Sequence, residues 1–364
     1  MKLFGWKSAG RMAARPVLSR GFTAWGGGDW PRAYEAQLRE LYLANPVAQR
    51  AVRLVAEGAA SVPVIASDSA AGALVAATSG GQALIETLAT QLLLHGNGYV
   101  QILRDANGAP VELFALRPER VTVEADPQGW PMAYRYKVGE AASLLSAESV
   151  VHIRTPHPLD DHYGLGCLDA AAGPMAIHNA AARWNKALLD NAARPSGALV
   201  HEGAEPMSAA QYDRLRTELT ASYAGAANAG RPMLLEGGLR WQALSLTPAD
   251  MDFIALKAAA ARDIALAFGV PPMLVGLPGD ATYANYREAN RALWRQSILP
   301  LATKILDALA QGLQPWFSGL ALRADQDRIP ALSEDRERLW AQVSAADFLT
   351  DDEKRALVGL EALK

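Results

Sequence analysis

Between Thr247 and Gln314 two helical patterns flank a loop stiffened by Pro271, Pro272 and Pro278, so this stretch has to fold back on itself as a hairpin of helices. Ser245 or Thr247 can cap the first helix, with Pro248 at its first position and Asp250 and Asp252 at the positive end of its dipole. Gly269 and the prolines behind it stop that helix. Ile254, Ala258, Ala261, Ala265 and Phe268 recur at helical spacing and predict its buried stripe, and Ala258 to Ala261 are small enough to let another helix approach closely. The second helix opens near Thr282 and places Trp294, Ile298, Leu301, Ile305 and Leu309 on one face. Pro300 removes a backbone donor inside that pattern, which predicts a kink between Gln296 and Pro300.

Two features of the hairpin bear on function. The loop Val270-Pro271-Pro272-Met273-Leu274-Val275-Gly276-Leu277-Pro278-Gly279-Asp280 is apolar where loops are usually polar, so it either folds back onto the core or meets a partner in a confined setting. Arg287, Arg291 and Arg295 form a stripe on the second helix. Nucleic acid or an acidic neighbour would satisfy such a stripe, but local pairing with Glu288 on a solvated face also does, and is the reading adopted.

The remaining chain is α+β. Pro31 to Pro63 reads as helical, with Leu38, Leu41, Val47, Val52 and Val55 placed for burial and Pro46 marking a break or a start. Residues 64–80 read as a strand and a loop, and Gln82 to His95 as a helix ended by Gly96. Short β-prone runs follow at Gly98–Arg104, Val111–Leu116, Val121–Glu124 and Tyr134–Val138, separated by Asn-Gly and Asp-Pro turn signals. Cys167 to Ala193 is a long alanine-rich helical pattern interrupted by Gly173-Pro174. Gly197–His201, Arg231–Leu235 and Leu239–Leu244 read as strands around a helix from Ser208 to Ala224. Ser333–Val343 and Thr350–Leu363 read as short helices capped by Ser333 and Thr350, with Thr350 and Glu353 spaced as a capping box.

Composition excludes several classes of function. At 364 residues, 50% hydrophobic and 20% charged, the chain can bury a core and form two or three domains. A formal net charge of −3 argues against a generic DNA-binding protein. Cys167 is the only cysteine, which leaves no disulfide framework or cysteine-rich zinc site. No apolar run reaches the roughly twenty residues a membrane span needs, so no membrane role is expected. Lys2, Lys7, Arg11, Arg15 and Arg20 precede the first acidic residue, Asp29, and residues 1–30 read as a flexible basic arm.

Catalytic readings are weak. His95-Gly-Asn-Gly98 could shape an oxyanion hole, but no Gly-x-Ser-x-Gly turn exists to use it, and a helix C-cap leading into a strand explains it. His152, His157 and His162 lie near Asp160 and Asp161, yet Pro156 and Pro158 prevent a shared helical face, and a surface loop is the simpler reading than a metal site. There is no phosphate-binding Gly-x4-Gly-Lys-Ser/Thr loop, and Gly164-Leu-Gly166 lacks the third glycine of a dinucleotide site. No cofactor is expected.

The string from Ala261 to Leu301, ARDIALAFGVPPMLVGLPGDATYANYREANRALWRQSILPL, resembles the signature of the portal proteins of long-tailed, lambdoid-type double-stranded DNA bacteriophages, a family that includes prophage and gene transfer agent portals. Further stretches similar to that family occur in its order: Asn45 to Arg53, Ala59 to Pro63, Leu93 to Val100, Leu116 to Val121, Val151 to Arg154, Tyr163 to Gly166 and Asn228 to Gly238. The resemblance covers about residues 35–315 and departs from the family at Cys167, where a serine is common.

It implies a portal fold of the α+β class. An α/β wing would take residues 31–166, a first stem helix 167–194, a small α/β clip 195–247 and a second stem helix 248–269. A tunnel loop at 270–282 would lead into a long kinked helix and wing return at 283–332, then short helices forming a reduced crown at 333–364.

The implied assembly is a cyclic homo-oligomer, usually of twelve subunits in the family, at one capsid vertex of the virion. It would be assembled in the host bacterial cytoplasm and would carry double-stranded DNA without reading its sequence. Implied partners are the terminase large subunit, a head–tail adaptor and the major capsid protein. Arg183, Lys186, Lys257 and Arg262 are the stem's candidate channel-facing cations, and Arg231, Met233, Leu235, Arg240 and Trp241 the candidate clip contacts. Two rivals remain at this point: a ring-forming scaffold or tail component without DNA passage, and a hydrolase using the histidines.

Overall fold

The computed structural model describes Leu18 and residues 34–190, 197–202, 208–223, 238–243, 253–277 and 282–358. The basic arm, apart from Leu18, the strand expected at Arg231–Leu235 and the caps expected at Ser245 and Thr247 lie outside the described residues.

In chain order, α1 (Tyr34–Gln37) runs into a π turn (Leu38–Tyr42) and is followed by α2 (Pro46–Ala60), β1 (Val64–Ala66) and α3 (Ser69–Ala76). The short strands β2 (Thr78–Ser79) and β3 (Gln82–Ala83) lead into α4 (Leu84–His95). Six longer strands come next: β4 (Asn97–Arg104), β5 (Pro110–Leu116), β6 (Val121–Ala125), β7 (Pro131–Val138), β8 (Ala141–Ser146) and β9 (Val150–Arg154). Then come α5 (Cys167–Asp190), β10 (Gly197–His201), α6 (Ala209–Tyr223), β11 (Leu239–Ala243), α7 (Phe253–Ala267), α8 (Tyr283–Leu293) and α9 (Leu299–Leu313). The chain closes with β12 (Leu322–Ala324), α10 (Ser333–Ser344) and α11 (Asp351–Leu357).

These elements divide into two units, one holding Ala56–Cys167 and Ile298–Lys364, the other Asp29–Val55 and Leu168–Ser297. In the first, two antiparallel three-stranded sheets, ordered β5-β4-β9 and β6-β7-β8, meet over a core of Tyr99, Leu116, Val121, Val123, Tyr134 and Val150. Helix α9 lays Ile305, Leu306, Leu309 and Leu313 against this unit and packs on α4, β9 and β12. Gly312 makes the approach possible, since a Cβ there would sit 2.3 Å from a Val151 methyl. In the second unit, β10 and β11 form an antiparallel pair with Leu199 opposite Trp241.

The sequence motifs around Gly96 and Gly164 turn out to be two halves of one joint. Gly96 ends α4 in the left-handed region (φ 77°) and its carbonyl accepts from Thr155 N–H at 2.9 Å and Thr155 Oγ1 at 3.1 Å. A Cβ on Gly164 would fall 2.0 Å from the Gly96 oxygen, so the two backbones touch only because both residues are glycine. Asn97 locks the joint from inside. Its Oδ1 accepts from Gly164 N–H at 2.8 Å and faces His152 Nε2 at 3.1 Å, while its Nδ2 donates to the Gly164 carbonyl at 3.2 Å. His152 also stacks on the Tyr99 ring at 4.2 Å.

Several sequence expectations need correction. Residues 64–80 are not a strand and a loop alone: Asp68 caps α3, accepting from the Ala70 and Ala71 N–H groups. β8 was not foreseen, because AASLLS has no alternation and five of its six residues are exposed. Gly173-Pro174 does not interrupt α5, which runs unbroken through Pro174. Ser333 is the first helical residue of α10, with Leu332 at the cap position, and its hydroxyl donates to the Pro330 carbonyl at 3.0 Å. Ile254, expected in the buried stripe, is 85% exposed, whereas Ala261, Ala265 and Phe268 are buried. The capping box of Thr350 and Glu353 forms as read.

Two outcomes follow from the joint. Gly164→Ala is expected to cost roughly 1–3 kcal/mol or more, because the obstructing atom is backbone and cannot rotate away. Gly108→Ala, which enters open space and meets only its left-handed backbone, is expected to cost less; thermal unfolding midpoints of the two variants check the order. Burial, assisted by Arg154, pushes the His152 pKa down to about 3. The ring is therefore neutral in the fold, while the unfolded chain takes a proton near the ordinary value of 6.5. Stability is held above that value and falls as the pH drops from 6.5 toward 3, with a slope of up to about 1.4 kcal/mol per pH unit from this residue. His152→Phe should lower stability at neutral pH yet flatten that slope, measured by denaturant unfolding between pH 7 and pH 4 at roughly one-unit steps.

Candidate functional site

The loop between α7 and α8 is closed twice by the same device. Gly269 ends α7 at φ +65°, its N–H donating to the Leu266 carbonyl and the Val270 N–H reaching back to the Ala265 carbonyl, both at 2.9 Å. This is a Schellman ending, and it buries Val270 to 2% exposure. Pro272–Val275 then make one 3₁₀ turn, which Gly276 ends at φ +81° with Gly276 N–H donating to the Met273 carbonyl and Leu277 N–H to the Pro272 carbonyl. The turn packs against both α7 and α8.

The apolar loop therefore folds back in part. Val270 and Leu274 are buried, Pro271, Met273, Val275 and Leu277 are half-buried, and Pro272 and Gly276 are exposed. Pro278, Gly279 and Asp280 lie outside the described residues.

Beyond the loop, Thr282 caps α8 with its hydroxyl accepting from Asn285 N–H at 3.2 Å. Residues 282–288 are exposed on every side of the helix, Tyr283 at 80% and Tyr286 at 53%. The Arg287 guanidinium lies 5.6 Å from the Tyr283 ring centre. Arg291 pairs with Glu288 at 3.0 Å as expected, but at 8% exposure it is not on a solvated face.

The predicted break before Pro300 takes the form of a π turn, Trp294–Ile298. Widening there advances the buried face, so Leu299, Ala302 and Leu306 join Ile305 and Leu309 inside while Leu301 is only half-buried. Ser297, in the π turn, donates its hydroxyl to the Gly269 carbonyl at 2.6 Å and ties the C-terminal end of α7 to the π turn beyond α8.

The other candidate residues scatter more widely. On α5, Arg183 is exposed and Lys186 pairs with Asp190 at 2.6 Å, also exposed. On α7, Arg262 is exposed and Lys257 half-buried. Burial first, then the Lys257 charge, hold the His178 pKa below its ordinary value. In the clip stretch Arg240 is exposed and lies 3.5 Å from Glu202, Trp241 sits in β11, and Arg231, Met233 and Leu235 lie outside the described residues.

The three histidines do not converge, and His152 lies in strand β9, not in the surface loop the sequence suggested. His152 faces Asn97, His157 Nδ1 accepts from Leu159 N–H at 3.0 Å, and His162 Nε2 meets the Gly129 carbonyl. Among the described residues no group of three or more His, Cys, Asp or Glu could hold a metal ion. No helix among them is long and apolar enough to cross a membrane. His95 lies at the C-terminal end of α4 beside Asn97, where the glycine cap accounts for the motif.

Sequence reasoning missed one buried polar cluster. Asn45, fully buried, caps α2 through its side-chain oxygen and donates to Asn179 Oδ1 at 2.9 Å, with His178 Nδ1 at 3.3 Å. Asn179 in turn donates to the Leu41 carbonyl. Asn45-Pro46 signals the cap, but nothing local signals its long-range partners.

Comparison with known proteins bears on this hairpin and on the chain around it. A protein from Rickettsia bellii (strain RML369-C) is 39% identical over 349 residues, 89% of each chain. A chain in the neck of a native gene transfer agent particle, computed with C12 symmetry, is 46% identical and superposes with a TM-score of 0.71 over 95% of this chain and 97% of that one. An HK97 family phage portal protein from Corynebacterium diphtheriae shares the fold at 18% identity, with a TM-score of 0.62 over 84% of this chain and all of its own. The family described as phage portal protein matches residues 46–359, most of both units and the whole hairpin. The chain belongs to the phage portal protein family.

Proposed function

We propose that this chain is the portal subunit of a gene-transfer-agent or phage particle. Copies close into a ring at one capsid vertex, through which double-stranded DNA enters and leaves. The observation that carries this reading is the likeness, at 46% identity and over nearly the full length of both chains, to a chain in a neck computed with C12 symmetry. The contrast with 18% identity to a phage portal favours the gene transfer agent kind. The protein acts as architecture, not as a catalyst.

Physical chemistry supports a sliding channel. Duplex DNA carries about one charge per 1.7 Å, so a ring lined with many free cations would release many counterions and hold the duplex fast. Each subunit here has a formal net charge of −3, and Lys186 and Arg291 are engaged by carboxylates within their own chain.

In this reading the tunnel loop, residues 270–282, narrows the channel without reading bases. Stem helices α5 and α7 span the ring, and the segment around β10 and β11 docks the terminase large subunit and the head–tail adaptor, with residues 31–166 toward the major capsid protein. Among the described residues β10 and β11 take no third strand, and such edges suit strand pairing with the next subunit.

Native mass spectrometry with electron-microscope class averages tests the assembly. The expected species is a closed ring of twelve 38.8 kDa chains with a hole that admits a duplex. A monomer or dimer under every assembly condition, capsid partners included, would sink the channel. Exchanging the half-buried Met273 and Leu277 for serine should leave the ring intact and lower the fraction of DNA-filled particles, counted by electron microscopy.

A further inference from the structure

Leu18, the described residue of the basic arm, lies against the turn of residues 126–130 that joins β6 to β7. The turn has a fixed shape of its own. Asp126 N–H donates to the Trp130 carbonyl at 2.8 Å and Gly129 N–H to the Asp126 carbonyl at 2.9 Å. The Asp126 carboxylate accepts from the Gln128 and Trp130 N–H groups, both at 2.8 Å. His162, 3% exposed, sets Nε2 on the Gly129 carbonyl and so ties the loop of residues 160–162 to the turn. The Gln128 carbonyl takes its donor from outside the turn: the Leu18 N–H, at 3.0 Å.

Gly129 completes the seat. It is left-handed (φ +88°), and a Cβ there would collide with the Leu18 carbonyl, so the bare Cα is what lets the two backbones meet. Both features address main chain, the mode by which a fold takes up an extended segment. Leu18 itself is half-buried. Pro16 favours an extended lead-in, because it fixes its own φ and biases Arg15 away from helix. Charge is complementary as well. Arg15 and Arg20 flank Leu18 and no acidic residue precedes Asp29, while the turn carries Asp126 and the loop tied to it carries Asp160 and Asp161.

We infer that the β6–β7 turn, backed by His162, is a docking site for the basic arm of the same chain, with residues 15–20 as the docked segment and Leu18 as its anchor. An arm held there forms part of the surface of this sheet and is not a free cationic tail.

The test uses the full-length chain. With a diazirine analogue of leucine at position 18, irradiation is expected to link that residue to residues 126–130 or 160–162 of its own chain, mapped by mass spectrometry. Mixing isotope-labelled and unlabelled copies before assembly tells one chain from its neighbour. A link to another copy, or none to this site, overturns the inference. Limited trypsin cleavage gives a second readout, since Arg20 lies beside the anchor and Lys7 far before it. Leu18→Pro removes the amide donor and leaves the turn untouched. It is expected to raise cleavage after Arg20, relative to cleavage after Lys7, by roughly three- to tenfold, the change in open population that one hydrogen bond controls. An unchanged ratio overturns the inference. The site lies within one chain, so both readouts stand whether or not copies close into a ring, and failure to form a ring counts against the portal reading alone.

Discussion

Pro300 has no N–H to give, and the hairpin is built around that deficit. In a regular helix the Gln296 carbonyl would lose its partner there and the proline ring would crowd the preceding turn. The chain answers by widening into the π turn Trp294–Ile298, which relieves the crowding and shifts the buried face by one residue. The same π turn holds Ser297, whose hydroxyl reaches the carbonyl of Gly269 at the end of α7. One missing donor therefore accounts for the break in the helix, the change in its packing face and the position of the bond that ties the end of α7 to the π turn.

Most of this hairpin was legible in the sequence because its signals are local. Gly269 before two prolines can only end a helix, Thr282 can only begin one well, and a proline within a helical pattern has to disturb it. Thr350 with Glu353 is legible for the same reason. The buried state of Arg291 was not, since Glu288 at helical spacing predicts the ion pair but says nothing about what covers it. Ile254 fails in the opposite sense: periodicity identifies a stripe, and a stripe does not say how far along the helix its cover extends. Asn45, His178 and Asn179 lie far apart in sequence, so their buried contacts are set by tertiary structure alone.

The joint at Gly96 and Gly164 shows how a motif that looks catalytic can be purely steric. A histidine beside glycines suggests an oxyanion hole, yet the glycines are there because two backbones pass within contact distance. The surrounding polar atoms are spent on each other: Asn97 binds both the amide and the carbonyl of Gly164, and His152 is turned toward Asn97. Side chains so committed hold a loop in place.

The loop's double closure sets its mechanical character. Two successive turns, each ended by a left-handed glycine and a back-reaching amide, leave residues 269–277 few torsions that can change independently. Such a segment behaves as a strut and not as a spring. Because the 3₁₀ turn packs against both α7 and α8, displacing one of these helices would carry the other with it.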